Sequence, residues 1–171
     1  VSRIGVLRRA GKGSEVELVI KEVLTRLNQI RTNPTFKVDL GGSIFKRDFR
    51  KDGFDLVSDV EPLSGEYKFE ALPLLKEGED PVSGDEMLRR AKNLGAMLGQ
   101  RDGENDKLTA GIPEELRSSY ILLPGTVWVS RGSRERCVAC LGWGGGRWIV
   151  RLDGLDGGCG SSGWLLVPRK P

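Results

Sequence analysis

The chain contains no histidine, and only three cysteines among its 171 residues. Without histidine, Ser–His–Asp and Cys–His catalysis and every His-ligated metal site are excluded. An odd cysteine count excludes a fully paired disulfide framework and favours a reducing compartment. Cys137 and Cys140 form a CxxC, with Cys159 further on. A structural zinc site closes with four Cys or His ligands, so these three read instead as small buried hydrophobes on strands. GxSxG, Walker and GxGxxG patterns are missing too, and no metal or cofactor is expected. No apolar run approaches the length that crosses a bilayer, and the opening "VSRIGVLRRAGKGSE" has no continuous apolar stretch before a small-residue cleavage site. The expectation is a cytoplasmic chain without a membrane partner.

A second absence is local. All thirteen glutamates lie at or before Glu135, and only Lys170 of the ten lysines lies beyond it. Between Arg136 and Arg169 there is also no Gln, Met, Asn, Tyr or Phe. The same stretch holds three of the four tryptophans and nine of the 24 glycines. Flexible linkers are glycine-rich, but they do not carry regularly placed Trp, Leu and Val. The segment "GWGGGRWIVRLDGLDGGCGSSGW", from Gly142 to Trp164, therefore reads as folded chain with a restricted residue alphabet.

What is present suits a soluble globular domain. Hydrophobic residues make up 38%, charged residues 30%, and the mean hydropathy is -0.31. The formal charge of +3 is too small to argue for nucleic acid by itself. From Gly125 onward, however, Arg131, Arg134, Arg136, Arg147, Arg151, Arg169 and Lys170 outnumber Glu135, Asp153 and Asp156.

Patterning predicts a helix over 14–30, with Ser14 and Glu17 as a capping box and Val16, Val19, Ile20, Val23, Leu24, Leu27 and Ile30 on one face. "FKVDLGG" reads as extended, and "SIFKRDFRKDG" as a short second helix stopped by Gly53. A loop containing Pro62, Gly65 and Pro73 then leads to a helix capped by Ser83, with Glu86 at the box position and Gly99 as its stop. "RDGENDKLTAG" reads as a mobile polar connection, and "IPEELR" as a short helix opening on Pro113. "TVWVS", "RCVACLGW", "RWIVRL" and "WLLVP" read as four strands, separated by "RGSRE", "GGG" and a glycine-serine loop over 154–163. Helices first and a small sheet last make the fold class α+β.

Two constellations have competing readings. Asp153 and Asp156 are a possible acid/base pair, but three residues apart in a glycine-rich stretch they also suit turn formation. Trp128 and Trp148 sit in strand patterns as core residues; Trp143 and Trp164 flank the glycine-rich segment, where exposed aromatics would anchor a partner. Arginines interleaved with tryptophans also suit single-stranded nucleic acid, by stacking and phosphate contact.

Taken together, "LPLLKEGEDPVSGDEMLRRAKNLGAMLGQRDGE", "IPEELRSSYILLPGTVW" and "LGWGGGRWIVRLDGLDGGCGSSGWLLVPRKP" resemble the variable proteins of diversity-generating retroelements of small-genome uncultivated bacteria. The resemblance spans about Leu72 to Pro171, and "FKVDLGG...DGFDLVSDV" is similar to a module of the same bacteria. It implies a C-type-lectin-like fold with N-terminal helices and a small C-terminal antiparallel sheet. It also implies an N-terminal module over 1–60, the lectin-like domain over 61–171, and a hypervariable segment over about 142–164. In such proteins an error-prone reverse transcriptase randomises template adenines. AAY codons then become any codon ending in a pyrimidine, which never encodes Lys, Glu, Gln, Met or Trp, and the odd alphabet follows. The fixed positions carried over are Trp143, Arg147, Trp148, Leu155, Asp156 and the run Leu166 to Lys170, with Trp128 in the frame. The diversified ones would be Gly142, Gly144, Gly146, Ile149, Arg151, Asp153, Gly157, Gly158, Gly160, Ser162 and Gly163. The implied function is non-enzymatic binding of a protein or other macromolecule; binding of nucleic acid through Arg and Trp is the alternative.

Overall fold

A computed structural model describes residues 33–171. The helix expected over 14–30, with its Ser14–Glu17 box, lies outside the described residues. The rest is mixed α+β: a large sheet with few helices, in which Asn33–Pro171 form one unit. Residues 33–60, which the sequence groups with an N-terminal module, thus contribute their strands to this unit.

Strand β1 (Thr35–Gly41) alternates as its sequence suggests, burying Val38 and Leu40. The second helix shrinks to one 3-10 turn, Phe49–Asp52, capped by Asp48 and stopped at Gly53. Upstream of it the N–H groups of Lys46 and Arg47 donate to Glu104 at 2.7 and 3.0 Å, so that backbone is committed to a distant carboxylate. After β2 (Phe54–Ser58), the expected loop through Gly65 is in fact a ten-residue strand, β3 (Ser64–Pro73). "EYKFEA" alternates, burying Phe69 and Ala71 and half-burying Tyr67, and this period outweighs the turn residues around it.

Val82–Ser83 form the short strand β4, and α1 (Gly84–Leu94) follows with the Ser83 hydroxyl accepting from the Glu86 N–H at 3.2 Å. The helix ends at Gly95, four residues before the expected Gly99: Gly95 takes φ 71, and the Ala96 N–H reaches back to the Ala91 carbonyl at 2.8 Å. Arg90 on α1 bonds both Glu79 and Glu86. Its hydrogen bond is the main cause that holds the Glu79 carboxyl down to about 2, while Glu86 is held down to about 2 by Arg89 first and by Arg90 second. A carboxyl depressed in the fold stabilises above its ordinary range and loses that contribution as pH falls through 4.5 towards 2. Arg90→Met should therefore flatten the fall in melting temperature between pH 4.5 and 2; parallel curves would show that the triad contributes nothing to the fold.

The stretch read as a mobile connection is instead short helix α2 (Gln100–Gly103) and α3 (Asp106–Gly111), with Gln100, Asp102 and Leu108 buried. A second 3-10 turn, Glu114–Ser118, follows Pro113. Then come β5 (Tyr120–Ser130), β6 (Arg136–Gly144), β7 (Arg147–Gly154), β8 (Gly158–Cys159) and β9 (Gly163–Arg169). All four predicted strands are present, though β5 begins six residues before Thr126, passing through an irregularity between Leu123 and Val127 that contains Pro124.

The sheet is neither small nor confined to the C-terminal half, nor wholly antiparallel. Seven strands join in the order β1-β3-β9-β5-β6-β7, with β2 on the far half of β5, and β5 and β9 run parallel. One face carries a core centred on Phe69, Leu123, Trp128, Leu141 and Leu166. On the other, α1 packs Met87 and Ala91 against Leu122, Val138, Leu165 and Val167.

Candidate functional site

Strands β6 and β7 form a hairpin whose register pairs Leu141 with Val150, Gly142 with Ile149, Trp143 with Trp148 and Gly144 with Arg147. Gly145 and Gly146 make the two-residue turn at φ 58 and 76, the left-handed pair that matches strand twist. Opposed residues share a face and successive ones alternate, so the hairpin sorts its side chains into two sets. Ala139, Leu141, Trp148, Val150 and Leu152 face the first core. Val138 and Cys140 face the second, and beyond them on that side the same rows continue as Gly142, Gly144, Ile149 and Arg151.

These four candidate positions come together as a small surface. Arg151 is exposed and its guanidinium lies across the glycines; a Cβ on Gly142 would stand 3.6 Å from its Cζ, and one on Gly144 3.3 Å from its terminal nitrogen. Asp153 is half-buried on the same side, by its register with Val138. Gly157, Gly158 and Ser162 are exposed in the following loop, and Gly160 is half-buried. Gly158 pairs with Ser83, so this loop is tied at β4 to the start of α1. Leu155, only 3% exposed, packs under that start so closely that a Cβ on Gly84 would fall 2.4 Å from the Leu155 carbonyl oxygen. Its scaffold assignment has this contact as its physical content.

The two groups meet at a residue that the sequence reading did not select. Tyr120 is the register partner of Gly142 on one side and of Gly163 on the other, so Gly163, Tyr120, Gly142 and Ile149 form one row across four strands. The Tyr120 N–H also donates to the Ser162 carbonyl at 3.1 Å, and burial raises its phenol pKa. Only the strand register reveals this residue. Gly163 itself is buried, with Tyr120 Oη 3.1 Å from where a Cβ would stand. Gly146 is exposed but holds φ 76, where L side chains are strained.

The tryptophans lie on the opposite side. Trp128 is fully buried and donates its indole N–H to Gln100 Oε1 at 2.9 Å; Trp148 and Trp164 pack on the first core. Trp143 is half-buried, edge-on to Trp148 at 5.5 Å, and the Arg117 guanidinium covers its ring at 4.2 Å. Arg117, another residue not selected from sequence, supplies a cation–π lid, so Trp143 is a covered frame residue.

The arginine excess from Gly125 onward is partly spent. Arg131 pairs with Asp55 and Arg136 with Asp85, each at 2.9 Å, whereas Arg147 and Arg151 have no ion-pair partner among the described residues. The three cysteines are free and buried. Burial raises all three thiols, Cys140 to about 12, which leaves them as unreactive thiols near neutral pH. Three residues apart on one strand, Cys137 and Cys140 point to opposite faces and cannot share a metal. Among the described residues no group of three or more Cys, Asp and Glu is arranged to hold a metal ion, and no helix is long and apolar enough to cross a membrane. No protein-family model, curated protein or solved structure matches this chain.

Proposed function

We propose that the chain is a non-enzymatic ligand-display module with a C-type-lectin-like fold, whose binding surface is the open side of the β6–β7 hairpin together with the loop over 156–162. The observation that carries this reading is the sorting of the restricted alphabet. Every candidate variable position except Gly163 reaches solvent, while Val150, Leu155 and Cys159 between them, and Leu141 and Leu165 on either side, are buried. A surface built this way can change its side chains without touching the core that holds it. The pairing of β3 with the C-terminal β9, which ties the two ends of the domain together, supports the lectin-like reading.

Of the seven basic residues from Gly125 onward only Arg131 and Arg136 form ion pairs among the described residues. Trp128, Trp148 and Trp164, however, pack on the first core rather than offering rings for bases to stack on, so the display reading stands ahead of a nucleic-acid interface. In this copy the surface is mostly glycine and serine, which offer little contact area and lose more backbone entropy on binding. The decisive test is a library in which Gly142, Gly144, Ile149, Arg151, Gly157, Gly160 and Ser162 are replaced by residues reachable from AAY codons. Most members should fold, with single substitutions at Ile149, Arg151 or Ser162 within about 0.5 kcal/mol of the parent. Gly163→Leu, crowding Tyr120, and Gly146→Val, forced to positive φ, should each cost roughly 1–3 kcal/mol. A library that mostly unfolds removes the proposal. Sequencing the native locus gives an independent test: a near-copy of the 3′ end differing chiefly at adenines, beside a reverse-transcriptase gene, is the expected finding.

A further inference from the structure

The sheet order ends at β7, and among the described residues no strand pairs with its outer edge. Every second residue of such a strand directs its N–H and C=O away from the sheet, a ready template for another extended chain. A groove of about 320 Å³ lies beside this edge. Its wall includes four consecutive residues, Arg147 to Val150, and consecutive strand residues point to opposite faces, so the common wall they offer is the strand's edge. The far wall is α3 with the segment before the first 3-10 turn: Thr109, Lys46 and Arg47, together with Glu104, which is held by the Lys46 and Arg47 N–H groups, and Asp106, which is paired with the Lys46 ammonium. Arg147 and Arg151 share one face of β7, separated by Ile149, and neither has an ion-pair partner among the described residues.

We propose that this edge takes an extended acidic peptide by strand addition, and that the ligand of this copy carries acidic side chains four residues apart around an apolar one. The inference rests on the reading of the hairpin as the binding surface. Residues of an added strand opposite Arg147, Ile149 and Arg151 fall at i, i+2 and i+4 on one face, which fixes the pattern as acid, apolar, acid at alternate positions. Asp153, next on the same face, rejects a further acid at i+6. Backbone bonds supply affinity indifferent to sequence, and the two arginines select. A second copy pairing β7 with β7 about Ile149 would set Arg147 against Arg151, a like-charge contact, so the partner of this edge is a different chain.

The probe is a labelled nine-residue threonine peptide with Asp third, Val fifth and Glu seventh, titrated by anisotropy against the full chain at low salt; the control has Lys at both acidic positions. The acidic peptide should bind at least about tenfold more tightly, and the difference should shrink at high salt. The double variant Arg147→Asp with Arg151→Asp, checked for an unchanged melting temperature, should reverse the preference. Two further peptides, N-methylated at alternate bonds in the two possible phases, should differ by about tenfold or more, since only one phase faces β7. Equal binding of acidic and lysine peptides, no saturation by about 1 mM, equal binding of the two methylated peptides, or a concentration-dependent dimer of the chain without peptide uptake would each overturn the assignment. A chain that tolerates the substitution library but ignores these peptides would lose this edge assignment alone and keep its display function.

Discussion

Trp128→Ala should cost roughly 4–6 kcal/mol, enough to leave much of the chain unfolded at 25 °C if its stability is that of an ordinary domain. The side chain is fully buried at the centre of the first core, with Phe45 and Phe49 edge-on at 6.2 and 5.6 Å. Truncating a buried tryptophan costs about 3–5 kcal/mol in lost contacts and cavity. A further cost comes from Gln100 Oε1, which loses the indole N–H and stays buried, a loss of about 1–3 kcal/mol that is not fully additive. Trp128→Phe keeps most of the packing and isolates the hydrogen bond, so it should cost about 1–3 kcal/mol. Trp143→Ala, at a half-buried rim position, should cost about 1 kcal/mol or a little more, including the lost Arg117 contact. Denaturant titration of the three variants sets the order. A Trp128→Ala protein within about 1 kcal/mol of the parent would mean that the frame is not centred on this residue.

The parts of this architecture legible in the sequence are those whose signal is local. The strands around Val127, Val138, Ile149 and Leu165 show alternation within a few residues, and the α1 start is announced by Ser83 and Glu86 three apart. The restricted alphabet located the hairpin and its loop. It did not separate Gly163, which is buried, from Gly160, which is not, because that depends on Tyr120 from another strand. Tyr120 and Arg117 were illegible for the same reason: their positions follow from register and from a turn packing across β6. β3 was hidden by Gly65 and its two flanking prolines, which punctuate a chain locally but do not forbid a strand between them.

The most instructive misreading concerns "RDGENDKLTAG". Polar residues usually lie outside, and a run of them normally marks a loop. Here Asp102, Glu104 and Asn105, with Gln100 just before them, point inward to serve backbone that has no partner of its own. Glu104 accepts from the Lys46 and Arg47 N–H groups, Gln100 donates to the Arg47 carbonyl at 2.7 Å, and Asn105 donates to the Gly42 carbonyl at 3.4 Å and to the Ser43 hydroxyl at 2.8 Å. These partners lie some sixty positions away in sequence, so no window along the chain reports them. The network explains how residues 42–47, which form no helix or strand, are held in place, with Lys46 and Arg47 on the groove beside β7.

Asp102 is the residue of that network whose loss should be felt most. Its two carboxylate oxygens accept the Leu63 N–H at 2.7 Å and the Gly99 N–H at 2.9 Å, and the side chain is 1% exposed. Asp102→Ala leaves both donors buried without partners, an expected cost of roughly 2–5 kcal/mol. Asp102→Asn retains one acceptor and turns an NH2 towards the other donor, so it should cost less, about 1–3 kcal/mol. Burial dominates the ionisation of this carboxyl and raises its pKa above the ordinary 3.8, against the pull of the two N–H groups. A carboxyl with a raised pKa binds its proton more readily folded than unfolded. Its contribution is therefore fully present below 3.8 and is lost as pH rises through its own higher value. The sign is opposite to that of Glu79 and Glu86, which both proteins retain and which cancel when the two are compared. The cost of Asp102→Asn should consequently be larger near pH 3.5 than at pH 7. A cost that instead shrinks in acid would mean that the two backbone donors outweigh burial and that Asp102 holds this segment as a stabilised anion.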